Sequence, residues 1–492
     1  MPVSNRQPQA SSSTPLVLSS NAPGTSPIND AGPIKISANQ PFKDGGVEIE
    51  LQVTGGGSKS QRPREEVLFI KTGDGADKVD VRRSADGGVS VNINGKTYDI
   101  PISSDGGPGK KILIQTQEGA DTVVVAHNVK LQTRVDLGNG NNTFCAGSGS
   151  TQVLSGTGDD NIQLGSGVGY VEDHGGNNQF KAGSGYSVMY GLGQGNNDFQ
   201  AGDGGSYMLG AGDRNRFRGG SGHNTMVALR GESVLEGGSG QNVFYTGKSQ
   251  ATVTSKNDVD ITYGKKEDHI TRTEKSKYVE VKPSDAGRKG FVIEGTPQFK
   301  ARVEAELEML RGSPVGQQML EQMDKAAAPV TIVEGDKGDF YQYRRPELAF
   351  ESPESRDRQD AAHGYLTNKK PGLPAENSVL TYDRAFTQED YKRPPINSLF
   401  HEMAHAYNGA NGTSIPGETY VGPHPSDPDR PHYEDNSERQ AVGLPTDGEP
   451  YDFDGDPTTP PTSTNPSPFN ENALYKEMGK PLRTRYFDLD KR

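Results

Sequence analysis

The chain has 492 residues with 63 Gly, 33 Pro, a hydrophobic share of 30% and a formal net charge of −13. That length allows two or three domains with separate cores, and so much Gly beside so few apolar residues excludes an all-helical fold. The acidic balance excludes nucleic acid or an anionic membrane as the main partner, no apolar run approaches the roughly 20 residues that span a bilayer, and the single cysteine, Cys145, excludes an intramolecular disulfide.

Residues 1–40 are rich in Ser, Pro, Asn and Gln, with Asp30 the first acidic residue. Such a stretch cannot bury enough apolar surface to order itself, so a disordered segment is expected. It has no apolar core of a Sec signal peptide, and its composition is similar to that of type III secretion leaders.

Residues 41–250 read as β-rich. Val89-Ser90-Val91-Asn92-Ile93-Asn94-Gly95 alternates with period two and ends in Asn-Gly, which predicts strands and a hairpin turn. Beyond it a Gly-x-Gly-x-Asn/Asp-x-apolar unit recurs, with its apolar residue at Phe144, Ile162, Phe180, Phe199, Phe217, Met226 and Phe244. A step of about 18 residues built on a 9-residue half-step predicts a parallel β-helix of two strands and two Gly turns per coil. The unit resembles the RTX nonapeptide, in which a carboxylate two residues before the apolar position binds Ca²⁺. Six of the nine such positions here are Asn (Asn142, Asn178, Asn197, Asn215, Asn224, Asn242) and three are Asp77, Asp121 and Asp160. Loss of ligand charge disfavours calcium and favours stacked Asn ladders, leaving Asp160 as the candidate calcium ligand.

Residues 251–295 are mixed and charged and read as a linker or solenoid cap. From 296 to 492 the pattern becomes helical: Val303, Leu307 and Leu310 share one stripe, and Ser313-Pro314 opens a second helix through Met323. Stretches near 351–376 and 446–468 read as loops.

The chemistry lies in Pro394 to Gly409, one helix with prolines and Asn397 at its start and Asn408-Gly409 at its end. His401 and His405, four residues apart, project from one face and can share a single Zn²⁺, and Glu402 beside them is placed to act as general base. Asn408 and Asn411 stand where a metzincin has Gly and His, which excludes that class. A carboxylate from a later helix is then the expected third ligand. Glu438, in a short helix ended by Gly443, is the best candidate, with Glu434, Asp435, His424 and His432 as alternatives. Tyr486 and Tyr433 are candidate transition-state stabilisers, with Tyr420 and Arg485 also near in sequence. The acidic run Asp452 to Asp456 has Pro457 where a calcium loop needs Gly.

His401 to Gly409, Asn436 to Leu444, Asn470 to Leu474 and Pro481 to Tyr486 together resemble the M91 family of effector metallopeptidases. The resemblance covers roughly residues 297–488. It implies an α+β, zincin-like zinc endopeptidase of gluzincin type, delivered by type III secretion into a host cell. For the family's enteric member it implies MAP kinases as substrates. The expected chain is thus multidomain, an all-β RTX-like solenoid followed by a zinc peptidase. Its expected partners are a host protein substrate and a secretion chaperone. Two rivals are a calcium-dependent exoprotease exported by the type I route and a solenoid adhesin or scaffold with an idle C-terminal region.

Overall fold

A computed structural model of the protein describes residues 33–56, 63–336, 338–345, 356–385, 393–424 and 427–486. The expected secretion leader lies outside these up to residue 32.

Among the described residues the N-terminal part is built from two 13-stranded sheets, whose strands alternate along the chain from Lys110–Gln115 onward. They begin as antiparallel hairpins, among them Val89–Ile93 with Lys96–Ile100. Asn94 and Gly95 turn that hairpin at φ 51° and 88°, the left-handed values an Asn-Gly turn supplies. From about residue 111 to 280 the two sheets form a parallel solenoid of about nine coils. Stacking is in register: Phe144, Ile162, Phe180, Phe199 and Phe217 pair successively in one sheet. All five are buried, and the Phe199 and Phe217 rings stack at 4.8 Å.

The glycine columns set the coil cross-section. A Cβ on Gly183 would sit 1.7 Å from the Gly165 carbonyl oxygen of the coil below, so only Gly allows this spacing. The Asn positions form ladders: Asn178 Nδ2 donates to Asn197 Oδ1 (3.1 Å), and Asn197 Nδ2 donates to Asn215 Oδ1 (3.2 Å). Asp160 belongs to the same ladder. One of its oxygens accepts from the Asn142 N–H (2.7 Å) and the other from the Ser155 hydroxyl. Asp173 packs against it and is pushed up to about 9 by burial and by that neighbouring carboxylate.

The 9-residue half-step takes Met226 and Phe244 off the Phe217 column and onto the other sheet. There they stack on Met189 and Met208, while Leu235 and Val253 follow Phe217. Residues 251–280 are neither linker nor cap: strands Gln250–Thr254, Ile261–Gly264, His269–Thr271 and Lys277–Glu280 extend the coils after the Gly signature has faded. Phe291–Glu294, expected in that linker, is a strand of the C-terminal sheet.

The C-terminal region is α+β. Its four-stranded sheet runs Phe291–Glu294, Val330–Glu334, Val379–Tyr382, Phe340–Gln342, with the last strand antiparallel at the edge. Helices α1 (Pro297–Arg311), α2 (Pro314–Met323), α3 (Arg356–Ala362), α4 (Pro395–Asn411), α5 (Asn436–Val442) and α6 (Glu471–Glu477) accompany it. Ser313 caps α2 by accepting from the Gly316 N–H. Among the described residues no helix is long and apolar enough to cross a membrane.

One sheet of the solenoid carries this region. Strands Gly169–Asp173, Ser187–Gly191, Ser206–Gly210, Asn224–Ala228 and Asn242–Tyr245 are buried at every residue. Their outward side chains, Tyr170, Val188, Tyr190, Tyr207, Leu209, Val227, Val243 and Tyr245, join one core with Phe299, Val303, Leu307 and Leu310 of α1. The opposite sheet, as at Arg214–Arg218, keeps the alternation of a face in water.

The ladder gives the first expectation. Asn242 is fully buried, donating to Gly240 O (2.7 Å) and Asp260 Oδ1 (3.0 Å) and accepting from Asn224 Nδ2 (3.1 Å). Asn242→Ala leaves these groups unpaired and lowers stability by about 2–3 kcal/mol, read as a fall in the urea midpoint at unchanged slope.

Candidate metal centre

Helix α4 is buried along nearly its whole length, with Ile396, Leu399, Phe400, Met403, Ala404 and Ala406 in the shared core. It ends at Asn411, with Gly412 left-handed at φ 66°, not at Asn408-Gly409 as expected. Gly409 stays helical for a packing reason: a Cβ there would lie 2.1 Å from the Tyr341 hydroxyl of the sheet edge.

His401 and His405 leave the same face of α4, their Nε2 atoms 3.2 Å apart. Helix α5 brings Glu438 to them, with Oε2 3.1 Å from His401 Nε2 and 3.2 Å from His405 Nε2. Buried Gln440 anchors α5 by donating to Thr413 O (2.9 Å) and Asn465 Oδ1 (2.7 Å) and accepting from the Ile415 N–H (2.9 Å). These three side chains are the one group of three or more His, Cys, Asp or Glu among the described residues able to hold a metal ion. Two donors each 2.0–2.1 Å from a tetrahedral ion lie about 3.3 Å apart, close to the spacing here. The donor set therefore fits a divalent ion.

Two further residues, which the sequence marked only as part of the segments that carry the family resemblance, complete the centre. Glu471, the first residue of α6, puts Oε2 3.0 Å from His401 Nδ1, which leaves Nε2 to face Glu438. Arg483 Nη1 donates to the same oxygen at 2.5 Å, and Arg393 lies 3.6 Å from the other. Burial alone would raise Glu471, but these arginines hold it well below its ordinary value. Asn470 to Leu474 carried the family resemblance in sequence, but nothing local marks Glu471 as facing a histidine 70 residues away.

Burial raises Glu402, and the adjacent imidazoles offset this only in part. The Tyr341 N–H of the edge strand also favours its ionised form. Burial would also raise Glu438, yet His401 and His405 hold it far below the carboxylate range. Tyr486 stacks on His401 with centroids 5.9 Å apart, and burial together with the nearby Glu438 carboxylate raises its phenol.

The other candidates lie elsewhere. Tyr433 and Tyr420 face each other, half-exposed, on the hairpin Glu418–His424 with Asp427–Asp435, and His424 packs on His432 there. Glu434 is buried against Arg439 at 2.6 Å, and Asp435 caps α5. Arg485 is exposed, and Arg483 is the arginine that turns inward. Asp452 to Asp456 folds on itself in exposed turns.

An α+β region with paired imidazoles, a converging carboxylate and a buried neighbouring glutamate is the class of site that fold and geometry define. Residues 288–486, the C-terminal region, match the model of the Peptidase M91 family, described as an effector protein. No match was found among curated proteins or solved structures.

The electrostatics set a pH dependence. Burial alone would lower His401, but Glu438 and Glu471 carry it up to about 10 from 6.5. In metal-free protein this raised value stabilises the fold fully below the unfolded value near 6.5, and the contribution is lost as pH rises toward 10. A divalent ion must displace that proton, so its affinity rises with pH across the same window. Calorimetric titration of metal-free protein with Zn²⁺ at pH 7, in buffers of different ionisation enthalpy, is expected to report proton release. Equal heats in all buffers would contradict the assignment.

Proposed function

We propose that the protein is a secreted effector whose C-terminal domain is a zinc-dependent endopeptidase acting on a host protein. The observation that carries this reading is the convergence of His401 Nε2, His405 Nε2 and Glu438 Oε2 within 3.1–3.2 Å beside buried Glu402. Two imidazoles and one carboxylate form a donor set suited to Zn²⁺. When bound, the ion supplies Lewis-acid polarisation of the scissile carbonyl and of the attacking water.

The remaining work falls to the protein's own side chains. Glu402, raised by burial, takes the proton of the attacking water and returns it to the leaving amine, which suits a base whose value lies nearer the working pH. The Tyr341 N–H holds that carboxylate in place. Glu471, fixed by Arg483, orients His401 through Nδ1. Tyr486, against His401 and Glu438, is the donor for the developing oxyanion. The acid-poor N-terminal segment supports type III export, and the M91 resemblance supports a host signalling protein, such as a MAP kinase, as substrate.

Two variants test the reading. Glu402→Gln is expected to keep one zinc per chain and the wild-type fold while losing cleavage, measured as new host protein N-termini in cells receiving wild type but not variant. Identical N-termini in both would end the peptidase assignment. Tyr486→Phe is expected to lower kcat about 10²-fold with zinc retained, read by single-turnover kinetics on the substrate so found.

A further inference from the structure

One buried carboxylate of the solenoid lies at its seam with the C-terminal region. Glu172, on the strand Gly169–Asp173, is fully buried at the seam. Its Oε1 lies 2.7 Å from His174 Nε2 and accepts from Arg384 Nη1, and its Oε2 accepts from Tyr170 (2.5 Å) with Arg302 Nε at 3.7 Å. Burial would raise this carboxyl, yet His174 and the two arginines hold it below its ordinary value. Arg302 and Arg384 belong to the peptidase region. Arg302, also fully buried, pairs with Glu306 at 2.9 Å and lies 3.3 Å over the Tyr190 ring of the solenoid.

Arg384 stands two residues beyond the strand Val379–Tyr382, and its Nε lies 3.4 Å from Glu334. Between strand and arginine, the Asp383 N–H donates to Asp339 Oδ1 at 2.6 Å. Asp339 directly precedes the edge strand Phe340–Gln342, which pairs Phe340 with Thr381 and Tyr341 with Leu380. The edge strand packs on α4, with the Tyr341 hydroxyl against Gly409, and its Tyr341 N–H favours the ionised Glu402 carboxylate. From solenoid to general base there is thus a continuous series of ion pairs, hydrogen bonds, packing contacts and short backbone steps.

We propose that the solenoid positions the general base: Glu172 holds Arg384, Arg384 fixes the Asp383–Asp339 junction, and that junction sets the edge strand whose Tyr341 N–H orients Glu402. The proposal rests on the role of Glu402 given above. Glu172, Arg384 and Arg302 are positioning residues that touch no substrate. The solenoid is then neither a spacer nor an export module alone, and a peptidase region detached from it loses Glu172, the carboxylate shared by two arginines at the seam.

The test compares Glu172→Gln, Arg384→Gln and their double variant with wild type as full chains. Hydrogen exchange is expected to quicken about tenfold or more in peptides covering 339–342 and 379–385, with α4 and coils 206–245 unchanged. At a temperature where circular dichroism shows folded, zinc-loaded protein, kcat is expected to fall about tenfold with KM within twofold. The double variant should lose no more than the worse single variant, the mark of residues acting as one unit. Arg384→Lys, which keeps the charge, should restore most of the protection and kcat. If Glu172→Gln does not fold, the Arg384 variants, at a partly exposed side chain, carry the comparison alone. Unchanged exchange in the two segments, or faster exchange there with wild-type kcat, would falsify the proposal. If wild type cleaves nothing, the exchange data still judge the positioning, and the failure falls on the peptidase reading.

Discussion

A coil of parallel strands needs one apolar face, the one turned inward, and polar residues suffice on the other. From Gly169 to Tyr245 one sheet is apolar on both faces, and much of the C-terminal architecture follows from that. Phe299, Val303, Leu307 and Leu310 have the outward Tyr and Val rows to pack on, so α1 is enclosed between solenoid and sheet. Enclosure strips Arg302 and Glu306 of water, and each is compensated by the other, with Glu172 and Tyr382 alongside. Removing one member of such a group typically costs about 3–5 kcal/mol, since an uncompensated charge stays behind. The seam thus behaves as the interior of one body and not as contact between tethered domains.

The metal centre divides its carboxylates by environment. Glu402 and Glu438 lie beside the same two imidazoles, yet burial raises the first and the imidazoles lower the second. Groups driven apart in this way suit different tasks, a proton carrier and a permanently anionic ligand. Glu471 adds a third role, held ionised by arginines and touching only the far nitrogen of His401. Two net-neutral imidazoles facing such carboxylates would bind a proton in default of a metal, which is why His401 rises so far.

Features carried by local spacing were legible in the sequence. The 18-residue period gave the solenoid, since a coil repeats the same contacts at each turn. The pair His401 and His405 gave the face of α4, and Asn436 to Gly443 gave the helix that presents Glu438. What depends on distant partners was not legible. Glu172, Arg302 and Arg384 carry no signal in the sequence, because nothing near them in the chain reveals the other body that buries them. Gly409 read as a helix end, because the Tyr341 hydroxyl that demands it lies on another element. Tyr433 read as near the centre because of its place before Glu438, but the hairpin turns its ring toward Tyr420. One signal was present and unused: GYVED, SVMYG and SYMLG have apolar residues at both parities, as strands covered on both faces must.

The half-step that moves the Asn ladder between sheets has a place in this scheme. Up to Asn215 the ladder stiffens turns that lead into the water-facing sheet, and from Asn224 through Asn242 to Asp260 it stiffens turns that lead into the covered one. The end of α6 docks there: a Cβ on Gly479 would lie 2.6 Å from Gln241 Nε2, one residue before Asn242. Nearby, Tyr245 and Tyr263 donate to Glu477 at 3.0 and 2.9 Å. Helix α6 begins with Glu471, the carboxylate that orients His401. The solenoid therefore reaches the centre twice, through Glu172 and the edge strand on one side and through Glu477 and α6 on the other. A ladder of buried amides, each fixed by the coils above and below, is a stiffer footing for the second contact than a solvated turn, and the shift in register supplies it where the helix lands.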